Sequence, residues 1–116
     1  GTALMVTCSH GENEAKVWDL SNITTVDAAP AALKPVAVLR GHTGVLFDVR
    51  FSSDDTLIAT ASGDETIKIW DAATGRELHT LTGHEGWASG VVFHPMVDSD
   101  MLLSCSDDST VRVWTA

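Results

Sequence analysis

Ile67-Lys68-Ile69-Trp70-Asp71 is the stretch on which the reading of this chain turns, because the chain writes it three times. Around Trp18 the same pattern reads Ala15-Lys16-Val17-Trp18-Asp19, and around Trp114 it reads Val111-Arg112-Val113-Trp114-Thr115. A Gly-His pair precedes each of the last two blocks, as Gly41-His42 and Gly83-His84, 42 residues apart. The last two tryptophans are 44 residues apart. Between landmark and block the residues correspond as well. Phe51 corresponds to Phe93, and Thr60 to Ser104, with an insertion around Met96 to Asp100 accounting for the difference in spacing.

A repeat in the forties with these two landmarks is the pattern of radially stacked blades. The middle repeat reads most cleanly. Val45 to Phe51, Leu57 to Ser62, Thr66 to Asp71 and Glu77 to Leu81 are short runs rich in β-branched and aromatic residues. Ser52-Ser53-Asp54-Asp55, Gly63-Asp64 and Thr74-Gly75 separate them as turns. The expected class is all-β, in four-stranded antiparallel blades that this chain does not complete. Residues 1–42 supply second, third and fourth strands with an inserted loop at 20–34. Residues 43–84 supply a whole blade, and residues 85–116 the first three strands of another. The strands are not strictly amphipathic, which predicts sheets covered on both faces by neighbours.

Of 116 residues, 16 are acidic and 7 are Lys or Arg, giving a net charge of −9. That balance argues against a nucleic-acid backbone or an anionic membrane as partner, since both call for clustered bases. It tolerates a basic protein partner, but a solubilising acidic surface is the favoured reading. No apolar run approaches membrane-spanning length. The start, Gly1-Thr2-Ala3-Leu4, has neither an initiator Met nor a basic leader region, so no signal peptide is expected and the natural start is expected elsewhere. Cys8 and Cys105 occupy corresponding repeat positions two blades apart. They are expected to be free, buried thiols, which suits a reducing compartment. The formal sequon Asn22-Ile23-Thr24 is read as chance.

Taken together, the two Gly-His pairs, the two Trp-Asp ends, the Trp-Thr end and their spacings resemble the WD-repeat β-propeller family. The resemblance covers essentially the whole chain outside the 20–34 loop. It implies a buried network in each blade, formed by the His of Gly-His, a second-strand Ser or Thr, an Asp in the next turn and the third-strand Trp. In the middle blade these are His42, Thr60 (with Ser62 as alternate), Asp64 and Trp70; in the last they are His84, Ser104 (or Ser106), Asp108 and Trp114. In the first blade Thr7 and Trp18 fit, but the turn Ser9-His10-Gly11-Glu12-Asn13 is one residue longer and carries no Asp.

Ser, His and Asp in one network invite a catalytic-triad reading. Their recurrence blade by blade, each time with a Trp, argues architecture instead, because a nucleophile is built once beside an oxyanion hole. His10, His79 and His94 have no metal-ligand spacing, Gly41-His42-Thr43-Gly44 lacks a phosphate-binding Lys, and Asp98-Ser99-Asp100 lacks the rest of a calcium loop. No cofactor, no metal and no enzymatic activity are expected. The resemblance implies protein partners on the face near the starts of the first strands. The matching residues are Val45, Phe47, Gly63, Trp87, Ser89 and Asp107; aromatic Phe47 and Trp87 are the candidate anchors, the alternative being that they pack against neighbouring strands. The opposite face is expected to carry the 20–34 loop and the 96–100 insertion. Neither Trp18-Asp19-Leu20-Ser21 nor Trp70-Asp71-Ala72-Ala73 has the Arg associated with cullin-ligase substrate receptors of the family.

The expected function is therefore a non-catalytic protein-interaction scaffold, part of a larger propeller, in the cytoplasm or nucleus. Its partners would include the remaining blades of that propeller or neighbouring subunits. The alternative is a purely structural component of an oligomeric assembly.

Overall fold

The computed structural model describes residues 4–8, 11–20, 35–96 and 99–115. Most of the 20–34 loop, with its sequon, lies outside the described residues, as do His10 and Asp98. Ten strands and no helix are found among the described residues. They are β1 (Leu4–Cys8), β2 (Ala15–Asp19), β3 (Pro35–Leu39), β4 (Leu46–Phe51) and β5 (Leu57–Ser62), then β6 (Ile67–Asp71), β7 (Glu77–Leu81), β8 (Ala88–Phe93), β9 (Met101–Ser106) and β10 (Val111–Thr115). They form three antiparallel meanders: β1-β2-β3, β4-β5-β6-β7 and β8-β9-β10. This is the all-β, bladed architecture that the repeat predicts.

Side-chain alternation in the middle sheet explains why its strands do not read as amphipathic. Successive residues of a strand point to opposite faces, and here each face has its own neighbour. Ile58 and Trp70 join Ala15, Val17, Ala37 and Leu39 of the first sheet in one apolar cluster. Ala59, Ala61, Ile67 and Ile69 join Ala88, Val91, Phe93 and Leu102 of the third sheet in another. β5 and β6 are accordingly buried along almost their whole length, whereas β7 is exposed at the rim.

Polar ties at the strand ends register one sheet against the next. The Leu46 N–H donates to the Glu12 carbonyl at 2.9 Å, and the Asn13 amide donates to the His42 carbonyl at 3.2 Å. On the other side Asp48 reaches from β4 to β8, its Oδ2 accepting the Val91 N–H at 3.1 Å. Its Oδ1 meanwhile accepts the Val49 N–H and the Arg50 Nε–H.

The cysteines correct one expectation. Both are free, but Cys8 is only half-buried and Cys105 is exposed. Their counterpart Ala61 is buried because the third sheet packs on it. Cys8 faces the middle sheet near the end of its own, where the cover is partial. Cys105 lies on the face of β9 opposite Leu102 and Ser104, and among the described residues no sheet covers that face. Val92, Val111 and Val113 are exposed there as well.

The two apolar interfaces predict a sharp contrast. Ile58→Ala should cost about 2–5 kcal/mol, the range for emptying a closed core site. Val92→Ala, at a side chain 53% exposed, should stay within about 0.5 kcal/mol. Guanidinium denaturation midpoints of the two variants against the parent check this.

Candidate functional site

A directed relay of polar side chains crosses the middle sheet. Trp70, on β6, donates its indole N–H to Thr60 Oγ1 on β5 at 2.9 Å. Thr60 Oγ1 lies 2.6 Å from His42 Nε2, and His42 Nδ1 lies 2.8 Å from Asp64 Oδ2. A carboxylate can only accept, so Nδ1 carries the proton and Nε2 must take the Thr60 hydroxyl proton. Every donor then has one acceptor in a single direction, from Trp70 through Thr60 and His42 to Asp64. No buried side-chain nitrogen or oxygen among the described residues lacks a hydrogen-bond partner.

The third sheet repeats the arrangement. Trp114 Nε1 donates to Ser104 Oγ at 2.7 Å, Ser104 Oγ lies 2.7 Å from His84 Nε2, and His84 Nδ1 lies 3.3 Å from Asp108 Oδ2. In the first sheet Trp18 Nε1 donates to Thr7 Oγ1 at 2.8 Å. The alternates Ser62 and Ser106 do not reach the imidazoles. Ser62 donates to the Gly44 carbonyl and accepts the Asp64 N–H, and Ser106 accepts the Asp108 N–H.

Two further members were not singled out from the sequence. Thr66 and Thr110 donate their hydroxyls to Asp64 Oδ1 and Asp108 Oδ1. The signal for them is the recurring Asp-x-Thr, in Asp64-Glu65-Thr66 and Asp108-Ser109-Thr110, whose central residues both have positive φ, 74° and 70°. The glycine of His-x-Gly is equally fixed. A Cβ on Gly44 would stand 2.5 Å from the Asp64 backbone nitrogen, and on Gly86 2.9 Å from that of Asp108, so the loop closes on the turn only without a side chain.

Burial pushes the His42 imidazole below its ordinary value, against the opposing pull of the Asp64 carboxylate. Asp64 also pays for desolvation, but hydrogen bonds from Thr66 and His42 outweigh it and hold the carboxyl at about 2. Asp108 is held well below the usual carboxylate range, first by the Thr110 hydroxyl and then by the Glu85 N–H. The hydroxyls that a triad reading would make nucleophiles are buried and already accept an indole N–H. A hydrogen-bonded strut is what this geometry supports.

The second candidate is on the surface. Phe47 and Trp87 come from different sheets, yet their rings stack with centroids 5.6 Å apart and an interplanar angle of 28°. They are 43% and 55% exposed. The sheets build this step in the same way. Gly63 donates its N–H to the Val45 carbonyl and Asp107 to the Trp87 carbonyl, and a Cβ on Gly63 would stand 3.3 Å from Phe47 Cε2. Phe47 and Ser89 sit at irregularities in the β4–β5 and β8–β9 pairing, which turn them outward. Of the other surface candidates, Val45 is half-buried, whereas Ser89 and Asp107 are exposed. No group of three or more potential metal-ligating side chains is found among the described residues.

Comparison with known proteins matches residues 33–71 and 75–115 to the family described as WD domain, G-beta repeat. Nuclear distribution protein nudF of Aspergillus terreus is 45% identical over 89 residues, covering 77% of this chain and 19% of that protein. Nuclear distribution protein PAC1 of Arthroderma benhamiae is 38% identical over 122 aligned residues, covering 98% of this chain and 24% of that protein. The chain thus spans about a fifth to a quarter of the length of these curated relatives. The crystal structure of the computationally designed Ika8 protein superposes with a TM-score of 0.76 over 97% of this chain and 30% of that one. At 24% identity it speaks for the fold alone.

The relay makes two predictions. His42→Ala should destabilise by about 1–3 kcal/mol by orphaning Thr60 and Asp64, with the difference read from thermal or denaturant unfolding. Stability should also fall with acidity in two steps. Between 6.5 and the depressed value of His42 the unfolded chain takes up a proton that the native chain refuses. Between 3.8 and about 2 the same holds for Asp64. Denaturant midpoints measured from neutral pH downward should decline accordingly, and His42→Gln should flatten the first decline.

Proposed function

This chain belongs to the WD domain, G-beta repeat family, and from that premise we propose that it serves as a non-catalytic scaffold for protein–protein interaction. The observation that carries the reading is the exposed Phe47–Trp87 step. Two large aromatic rings stacked in solvent are costly to leave uncovered, and aromatic anchors dominate interface energetics. Val45, Ser89 and Asp107 flank it as further contact residues. The relay residues His42, Thr60, Asp64 and Trp70, with His84, Ser104, Asp108 and Trp114, hold the sheets that present it.

The relatives named as nuclear distribution proteins support an intracellular setting, cytoplasmic or nuclear. No helix among the described residues is long and apolar enough to cross a membrane. The acidic balance favours protein over nucleic acid or anionic lipid as partner. A second reading, a structural component of an oligomeric assembly, draws support from the exposed Val92, Val111 and Val113 on the third sheet. Those residues would meet further blades of the same propeller or a neighbouring subunit.

The two readings separate on Trp87→Ala. A scaffold that docks its partner on the step should lose about 2 kcal/mol of binding, roughly thirtyfold, and keep the parent's melting temperature. A structural component should keep its contacts and instead lose assembly when Val111 and Val113 are made polar. Pull-down with quantified bound fractions, paired with sedimentation, reads both.

A further inference from the structure

Five segments gather at the end of the sheets that carries the aromatic step: residues 11–14, 43–47, 63–66, 85–89 and 107–110. They hold seven of the chain's 16 carboxylates and no Lys or Arg. Three of the seven are engaged, Glu14 with Arg40 and Asp64 and Asp108 within the relays. Glu12, Glu65, Glu85 and Asp107 are exposed. Each is tied to the step by the backbone around it. The Glu12 carbonyl accepts the N–H of Leu46, next to Phe47. Glu65, with positive φ, belongs to the turn that follows Gly63, where a Cβ would stand 3.3 Å from Phe47 Cε2. The Asp107 N–H donates to the Trp87 carbonyl, and Glu85 precedes Trp87 by two residues.

We infer that the Phe47–Trp87 step is a docking platform for a cationic side chain, Arg in preference to Lys, carried on an extended basic segment of a partner protein. The inference rests on the docking reading above and adds the chemistry of the occupant. The face of an aromatic ring attracts a cation, and the planar guanidinium stacks on it while its N–H fork reaches neighbouring carboxylates. The carboxylate rim supplies charge complementarity, which steers encounter and selects partner sign. An acidic segment or a nucleic-acid strand would meet like charge at the same end of the sheets. Arg40 already pairs with Glu14, but among the described residues no Lys or Arg pairs with Glu12, Glu65, Glu85 or Asp107.

The test is a titration of the full chain with a blocked Gly-Arg-Ala-Arg-Gly peptide and its citrulline twin, which keeps the planar shape and loses the charge. The Trp87 indole N–H and the Phe47 amide are followed by two-dimensional NMR. The arginine peptide should shift both signals and bind at least about fivefold more tightly than the citrulline peptide. Raising the salt to several times the physiological level should erase most of that difference. Glu85→Gln combined with Asp107→Asn should do the same and leave the fold intact, because the Asp107 backbone N–H that holds Trp87 is retained. Equal binding of both peptides at Trp87 would overturn the cationic occupant and leave the docking surface standing. Shifts that bypass Trp87, together with an unchanged partner pull-down for Trp87→Ala, would overturn both. Tighter binding of a Gly-Leu-Phe-Leu-Gly peptide than of the arginine peptide would assign the step to an apolar partner instead.

Discussion

A single hydrogen-bond direction underlies the middle sheet. Trp70 gives a proton to Thr60, Thr60 to His42, and His42 to Asp64, and none of these bonds can be reversed without stranding another. The constraint is severe because indole can only donate and carboxylate can only accept. Those two ends fix the tautomer of the imidazole and the rotor of the hydroxyl between them. The relay crosses from the Gly-His loop through β5 to β6 and ends in the β5–β6 turn, so it sets the position of the loop against the strands. Low local dielectric strengthens such a chain when complete and raises the cost of any gap.

The arrangement separates durability from recognition. The relay is enclosed, while Phe47 and Trp87 stand in solvent on the same end of the sheets. Substitutions on the platform can alter what it meets without disturbing what holds it up. The carboxylates divide in the same manner. Asp64 and Asp108 are committed inward and held strongly ionised, whereas Glu12, Glu65, Glu85 and Asp107 colour the surface.

Much of this was legible from residue order. Strand positions followed from β-branched runs and turn clusters; the relay members were implied by the family resemblance, with the spacing from Trp70 and Trp114 back to Asp64 and Asp108 supporting the register. Thr66 and Thr110 escaped notice because an Asp-x-Thr turn is common and gains meaning only when its carboxylate is seen to accept both a hydroxyl and an imidazole proton. The aromatic step was harder still. Phe47 and Trp87 do not occupy equivalent repeat positions, since Trp87 corresponds to Val45, so no periodicity pairs them. Only the packing of β4 beside β8 brings their rings together. The exposure of Cys105 was missed for a related reason: the repeat predicts which way a side chain points, but what it meets depends on the adjacent sheet.

Asp48 has a consequence for how such a chain can diverge. It joins two sheets by accepting from the main chain of Val91 and not from its side chain. Any residue with an amide proton can fill that role, so position 91 is free to drift under packing pressure alone. The burden of keeping that hydrogen bond falls wholly on position 48. Over evolutionary time the junction should therefore behave as a lopsided hinge pin, immobile in one strand and interchangeable in its neighbour.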